Sequence, residues 1–319
     1  MKKEQEFGIV ITTFDGCYHM TLGLLASIKY FAPEIPICLI VDGELVIEKE
    51  IETYNITHVI KKTDVLDDFL KDTCFGSRLS NMVAFWQSPF NKFLYLDSDT
   101  ILWGNIPRSI NKGFDFVHNE PHEEYTDHIY KTQYCDFEKL FEVMPSFEFR
   151  TCNFFNAGVF FSKRGIIDIN TFKRLMEIWD VLNLTDLGKP QGMINYMVFS
   201  KSKNNHIKMS EQHLQTVVPV KSKSELKAMF QIRKGIPVIK KDTIIHWAGV
   251  KPLLMHRKET FIKPMLFFRK QHLKNIKSIW RFLPIPYLLW EEFQVVLKRY
   301  HQGSVLIYLK RKVKKVLTN

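Results

Sequence analysis

Asp97 and Asp99, separated only by Ser98 in the run LYLDSDTIL at 94–102, are the side chains of this chain best placed for chemistry. Leu94-Tyr95-Leu96 leads straight into the pair and reads as a short buried strand. Two carboxylates so close together repel, and burying them bare is costly. A divalent cation at the strand's end would neutralise both, and oxygen ligands suit Mg2+ or Mn2+. The competing reading of these residues alone is a solvated Asp-Ser-Asp-Thr turn after a strand.

Other segments carry chemistry with the same duality. His246-Trp247-Ala248-Gly249-Val250-Lys251-Pro252 begins at the end of an apolar run. Its imidazole can ligate metal, its Gly lets backbone approach a phosphate, and its Lys supplies a point charge. A core histidine followed by a turn is the plainer account. Asn156, in Asn-Ala-Gly-Val-Phe-Phe, is an amide inside an apolar run, and such an amide must be paired. It reaches a pocket, or it marks a bulge capped by Gly158. Gln191, at the opening of a helical pattern, is a cap or a pocket amide, and Arg78 is a surface or phosphate-facing arginine. An Asp-x-Asp after a strand also occurs in phosphatases of the haloacid dehalogenase type. That type wants Thr or Val where Ile101 sits, and an Asp pair near the N-terminus.

The elements that must position these groups alternate in type. Strands are predicted over 7–13, 36–41, 57–60, 114–118, 153–161 (interrupted at 156–158) and 243–246, besides the run before Asp97. Helical spacing covers 18–31, 79–86, 172–182 and 193–199. The expected fold is α/β, a mostly parallel sheet flanked by helices on both faces. Ligands of such sheets bind beyond the carboxyl ends of the strands, where Thr12-Thr13 and Asp15-Gly16 close the first strand.

The net charge of +11 is concentrated at one end. Residues 257–319 hold 15 basic and three acidic residues, whereas the remaining 256 hold 30 and 31. The basicity therefore belongs to a C-terminal extension, and the predicted organisation is a body over 1–255 and a basic, aromatic-rich extension over 256–319. Residues 304–317 read as a basic amphipathic helix suited to an anionic membrane surface. Residues 282–290 are apolar but hold two prolines, so no spanning helix is expected there. No nucleic-acid module is recognisable, and no nucleic-acid partner is expected. Five scattered cysteines, in no metal-ligand spacing, favour a reducing compartment. The run Phe7–Ile11 is too short for a signal-peptide core. A cytoplasmic protein, peripheral on the inner face of the cell membrane, is the expectation.

Taken in order, Thr12-Thr13-Phe14-Asp15, Ser77-Arg78-Leu79, LYLDSDTIL, FNAGVFF, PQGMIN and HWAGVKP resemble the family 8 glycosyltransferases of GT-A fold, over roughly 7–255. The resemblance implies a metal held by Asp97, Asp99 and His246, with Gly249 and Lys251 at the diphosphate. It implies a nucleoside near Thr12 and Asp15, and a nucleotide-sugar contacted by Arg78, Ser98 and Asn156. Gln191 would line the reacting face of the sugar. Two departures stand out. The family has Asp-Gln where this chain has Pro190-Gln191, with Asp186 as a nearby substitute, and Pro252 is followed by Leu253 rather than Trp. The implied activity is metal-dependent transfer of a hexosyl unit, with retention, from a nucleotide-sugar, a UDP-sugar first, to a glycan or a lipid-linked or lipopolysaccharide acceptor. The alternatives are a non-catalytic nucleotide-sugar-binding protein and a nucleic-acid-associated protein acting through its tail.

Overall fold

The structure, a computed structural model, describes residues 5–121, 126–182, 184 and 189–299. Its strands are β1 (Gln5–Phe14), β2 (Ile37–Asp42), β3 (Ile56–Lys61), β4 (Phe90–Asp97), β5 (Thr100–Trp103) and β6 (Phe116–His118). They continue with β7 (Val159–Lys163), β8 (Met209–Glu211), β9 (Gln215–Val217), β10 (Gln231–Arg233), β11 (Ile236–Val238) and β12 (Thr243–His246). The longest helices among the described residues are α1 (Tyr18–Phe31), α2 (Ile169–Val181), α3 (Lys189–Lys203), α4 (Lys263–Asn275) and α5 (Pro284–Arg299).

Seven strands form the main sheet in the order β3-β2-β1-β4-β7-β6-β8. The run from β3 through β2 and β1 to β4 is parallel, and β7 lies antiparallel between β4 and β6. Ile9, Val10 and Ile11 of β1 are wholly buried, as a central strand covered on both faces requires. Successive side chains feed two cores: Val10, Cys38 and Ile40 enter one, and Ile9, Ile11, Leu39 and Val41 the other. Phe172, Leu175 and Trp179 of α2 and Met193, Ile194 and Met197 of α3 pack into the first, and α1 and α4 cover the second. The fold class is the α/β one that the alternation predicts.

β1 pairs with β2 on one side and β4 on the other, so a crevice opens at its carboxyl end. Register brings Thr12 beside Asp97 and Phe14 beside Asp42 at that edge. A smaller sheet, β5-β12-β9, sets His246 opposite Thr100, directly after the Asp pair.

Two local expectations are corrected and a third is met. The strand predicted over 153–161 is regular only from Val159. The Phe155 N–H donates to Asn195 Oδ1 at 3.0 Å and the Phe155 carbonyl accepts from Asn195 Nδ2 at 2.9 Å, so this residue's ladder bonds are taken by a side chain. The helix predicted over 79–86 is present over 80–87, a 3-10 turn, Ser80–Val83, running into an α-helical turn, Ala84–Gln87, and stopping before Pro89. The segment after residue 255 does not start as an appendage: Met265 and Phe268 of α4 are buried in the core they share with α1. Gly23 of α1 permits that approach, since a Cβ there would come within 2.6 Å of Met265 Sδ. α5 is then held to α4 by a buried pair, Arg269 Nη1 to Glu292 Oε1 at 2.5 Å, and Glu292 also accepts the Leu254 N–H. No helix among the described residues is long and apolar enough to cross a membrane. Asp186 and the helix expected over 304–317 lie outside the described residues.

Candidate functional site

Asp97 ends β4 and Thr100 starts β5, so the Asp pair turns a tight corner between two buried strands. The Thr100 hydroxyl donates to the Asp97 carbonyl at 2.7 Å, and the Trp247 N–H donates to the Asp99 carbonyl at 3.1 Å. Both side chains then face the crevice. The Tyr95 hydroxyl donates to Asp97 Oδ1 at 2.8 Å. Lys251 Nζ donates to Asp99 Oδ2 at 2.6 Å, and His246 Nε2 stands 3.5 Å from Asp99 Oδ1.

Ligand atoms of Asp97, Asp99 and His246 all lie within 4.8 Å of one another. A cation with bonds of ~2.1 Å has ligand atoms at most about 4.2 Å apart, so the set closes on one with a movement of a few tenths of an ångström. Two further features fit such a group. His246 Nδ1 donates to the buried Gln215 Oε1 at 2.7 Å, which leaves Nε2 turned to the carboxylates, the atom at which a cation would take the place of a proton. The space in front is kept by Gly158, where a Cβ would lie 2.6 Å from Asp97 Oδ2 and overlap the His246 ring.

The electrostatics suit a cation as well. Burial and the neighbouring Asp99 charge push the Asp97 carboxyl above its ordinary pKa. Burial opposes ionisation of Asp99 too, yet the hydrogen bond and charge of His246, with Lys251, hold it well below the carboxylate range. Burial works against the Lys251 charge, but Asp99 prevails and raises its pKa.

A cleft of about 1020 Å³ opens over this cluster. Its wall includes Thr12, Arg78, Ser98, Asn156, Gln191, Gly249 and Lys251 beside the three metal candidates. Asn156 Oδ1 accepts the Gly158 N–H at 3.0 Å, and its Nδ2 has no protein partner among the described residues. Gln191 is engaged at both ends: Oε1 accepts the Ala157 N–H at 3.3 Å and Nε2 donates to the Gln133 carbonyl at 3.2 Å. It braces the Asn-Ala-Gly turn. Asp15 is exposed in the turn after β1 and is not brought to the wall, whereas Phe14 is.

Several residues in and behind the wall escape sequence reasoning. Asp42, which ends β2, accepts the Gly76 N–H at 2.8 Å, and burial raises its pKa. Its Asp-Gly signal after an apolar run marked only a strand end. Asn81 lines the cleft with a buried Oδ1 that has no partner among the described residues, and nothing in its local sequence singles it out. Gln215 reaches His246 only because β9 pairs with β12.

No protein-family model matches this chain, and neither does any curated protein. Solved structures do resemble it. One is the WbbM bifunctional glycosyltransferase, with TM-score 0.57 and 15% identity, covering 92% of this chain and 53% of that one. Another is the glycosyltransferase GlyE of Streptococcus pneumoniae TIGR4, with TM-score 0.52 and 14% identity over 87% of this chain and 63% of that one. A third is the galactosyltransferase LgtC with donor and acceptor sugar analogs, with TM-score 0.50 and 13% identity over 82% of this chain and 95% of that one. The chain thus spans about half the length of the WbbM chain and nearly all of LgtC. At such identities the likeness concerns the fold, a mainly parallel α/β sheet of the GT-A glycosyltransferase type.

Proposed function

We propose that this protein is a metal-dependent glycosyltransferase that moves a hexosyl unit from a nucleotide-sugar, a UDP-sugar first, to a glycan or a lipid-linked or lipopolysaccharide acceptor. The observation that carries the reading is the convergence of Asp97, Asp99 and His246 with Lys251 at the mouth of the sheet, inside one large cleft. Likeness of fold to LgtC, solved with donor and acceptor sugar analogs, supports a nucleotide-sugar donor and a sugar acceptor.

Asp97, Asp99 and His246 would hold Mn2+ or Mg2+. When bound, such a cation supplies Lewis-acid stabilisation of the charge developing on a departing diphosphate. Lys251 adds a fixed ammonium at the same place, and Gly249, at φ +76°, gives the loop a left-handed turn through which backbone can approach phosphate. Thr12 and Phe14 stand at the nucleoside end of the cleft, and Arg78 and the free Nδ2 of Asn156 address the donor sugar. Gln191 acts through the backbone of Ala157 as a positioning residue. Its amide is a weak nucleophile and already bonded, so the retention that the family resemblance implies would run by front-face displacement rather than through a covalent intermediate. The acceptor oxygen bonds to the anomeric carbon as the bond to the diphosphate breaks, and the acceptor's proton passes to the leaving phosphate.

Peripheral membrane attachment belongs to the same reading. Ile279, Trp280, Phe282 and Leu283 are exposed beside Lys277 and Arg281, and each cation near an anionic bilayer contributes about 1 kcal/mol. Loss of vesicle co-sedimentation in a Trp280→Ser/Phe282→Ser variant is expected.

The deciding experiment is thermal-shift screening with UDP-, GDP- and CDP-sugars, with and without Mn2+, followed by NMR assignment of the product anomer. One donor should stabilise the protein only with metal, and Asp97→Ala and Asp99→Ala should abolish turnover. Mn2+-dependent turnover surviving in either variant overturns the metal assignment, and an inverted product overturns retention. Donor binding with neither hydrolysis nor transfer would make this a nucleotide-sugar-binding protein.

A further inference from the structure

We propose that a second, basic cleft, walled by the helix Lys223–Met229, the β10–β11 hairpin and the start of α4, binds a phosphate ester. The inference is independent of the transfer reading. The cleft has a volume of about 480 Å³, and Lys223, Lys227, Arg233, Arg257 and Lys263 line it with no carboxylate among the lining residues. None of the five has an ion-pair partner among the described residues.

Two of the cations are fixed. Lys223 Nζ donates to the carbonyls of Arg257 and Lys258 at 3.1 and 2.8 Å, tying the helix to the opposite wall. Arg233 donates through Nε and Nη2 to Gln231 Oε1 at 3.0 and 2.7 Å, which sets the plane of its guanidinium. The hairpin that presents it turns at Lys234-Gly235, both at positive φ (48° and 77°), the two-residue geometry that matches strand twist. Lys227 lies one helical turn beyond Lys223, and Lys263 is the first residue of α4, whose first turn holds no acid. The floor is apolar: Phe230 and Phe261 are buried and stack at 6.4 Å, and Phe230 meets Trp103 edge-on at 5.6 Å.

Five like charges gathered around an apolar floor repel one another, and an anion relieves that repulsion. A carboxylate would neutralise one of them. A phosphomonoester carries a charge of about −1.5 to −2 and three acceptor oxygens, which suit a guanidinium fork together with several ammonium groups. The ligand is not the donor's diphosphate. The two clefts share no lining residue, and Trp103, on which Phe230 packs, pairs with Thr243 at the end of β12 opposite His246. The phosphate belongs either to a soluble ester or to a lipid headgroup, which present the same chemistry.

Calorimetric titration with glycerol phosphate, and co-sedimentation with phosphatidic acid vesicles, test this in metal-free buffer, so that the Asp97 cluster cannot recruit phosphate through a cation. The full chain is compared with Lys227→Gln/Arg257→Gln and with a charge-matched control, Lys49→Gln/Lys203→Gln, after equal unfolding midpoints are verified. Saturable binding that weakens at least tenfold in the cleft variant and not in the control is expected. Binding of free glycerol phosphate assigns a soluble ester, and cleft-dependent binding to vesicles alone assigns a headgroup. Absence of cleft-dependent binding to either probe, or an equal loss in the control, overturns the proposal.

Discussion

Gly158→Ala tests the proposed metal centre apart from the rest of the fold. Gly158 is not in the left-handed region, so alanine meets no backbone penalty, and the whole effect comes from one added methyl. That methyl would lie 2.6 Å from Asp97 Oδ2 and overlap the His246 ring, against an ordinary contact of 3.4 Å or more. Relief requires a displacement of about 0.8 Å. Metal–ligand distances tolerate ~0.2 Å, so Asp97 or His246 must leave the set. Disturbing a ligand's supporting shell alone costs ~10–100-fold in metal affinity, and loss of a ligand should cost at least the upper figure, about 2.7 kcal/mol. Overpacking adds ~1–3 kcal/mol of destabilisation, which urea unfolding measures separately. The assay is Mn2+ titration followed by the EPR signal of the free ion, on wild type and on variant protein shown to be folded. A folded Gly158→Ala protein that binds Mn2+ within threefold of wild type would refute the geometry, and wild-type protein that binds no Mn2+ would refute the centre itself.

Three further outcomes are expected. Gln215→Leu removes the acceptor that orients His246 and should lower Mn2+ affinity ~10–100-fold by the same titration, with turnover recovering at high Mn2+. Arg269→Met leaves Glu291 and Glu292 buried without their partner and should cost about 3–5 kcal/mol in urea unfolding, detaching α5 from α4. Burial, with the charge of Arg269 beside it, pushes the His272 pKa down to about 4, and the Tyr54 hydroxyl holds the neutral ring at Nδ1. Glu50, 3.7 Å from Nε2, pulls the other way, but burial raises its own pKa and blunts that effect. Because the folded pKa lies below the unfolded value of about 6.5, the unfolded chain takes up the proton first. Stability from this group is therefore complete above about pH 6.5 and is lost as pH falls toward 4, by up to ~3 kcal/mol. His272→Gln should flatten that slope in unfolding experiments run at stepped pH.

Local patterns carried much of the fold. An apolar run ending in Asp-x-Asp is a strand that delivers two carboxylates to an edge, and that much needs only burial and the two-residue period of β4. The strands β1, β2, β4 and β12 were legible for the same reason: they are continuous apolar runs. One reading failed where a side chain competed with backbone. Asn195 takes the ladder bonds of Phe155, an effect that does not show in hydrophobic spacing. The basic tail divides similarly. Its composition suggested an appendage, but Met265 and Phe268 place α4 in the core, because α1 offers Gly23 as a groove for it.

The sequence by itself determined which residue types stand at the ends of strands, since each strand ends where its apolar run ends. Tertiary structure alone decided which of those ends meet. Gln215 and Gly158 meet the Asp97, Asp99 and His246 cluster, and Asp42 lines the same cleft, because β2, β9, β7 and β12 pair in a given order and register. Register is a long-range property, set by how two cores fill, and so the candidate ligands could be named from the chain while the groups packed around them could not.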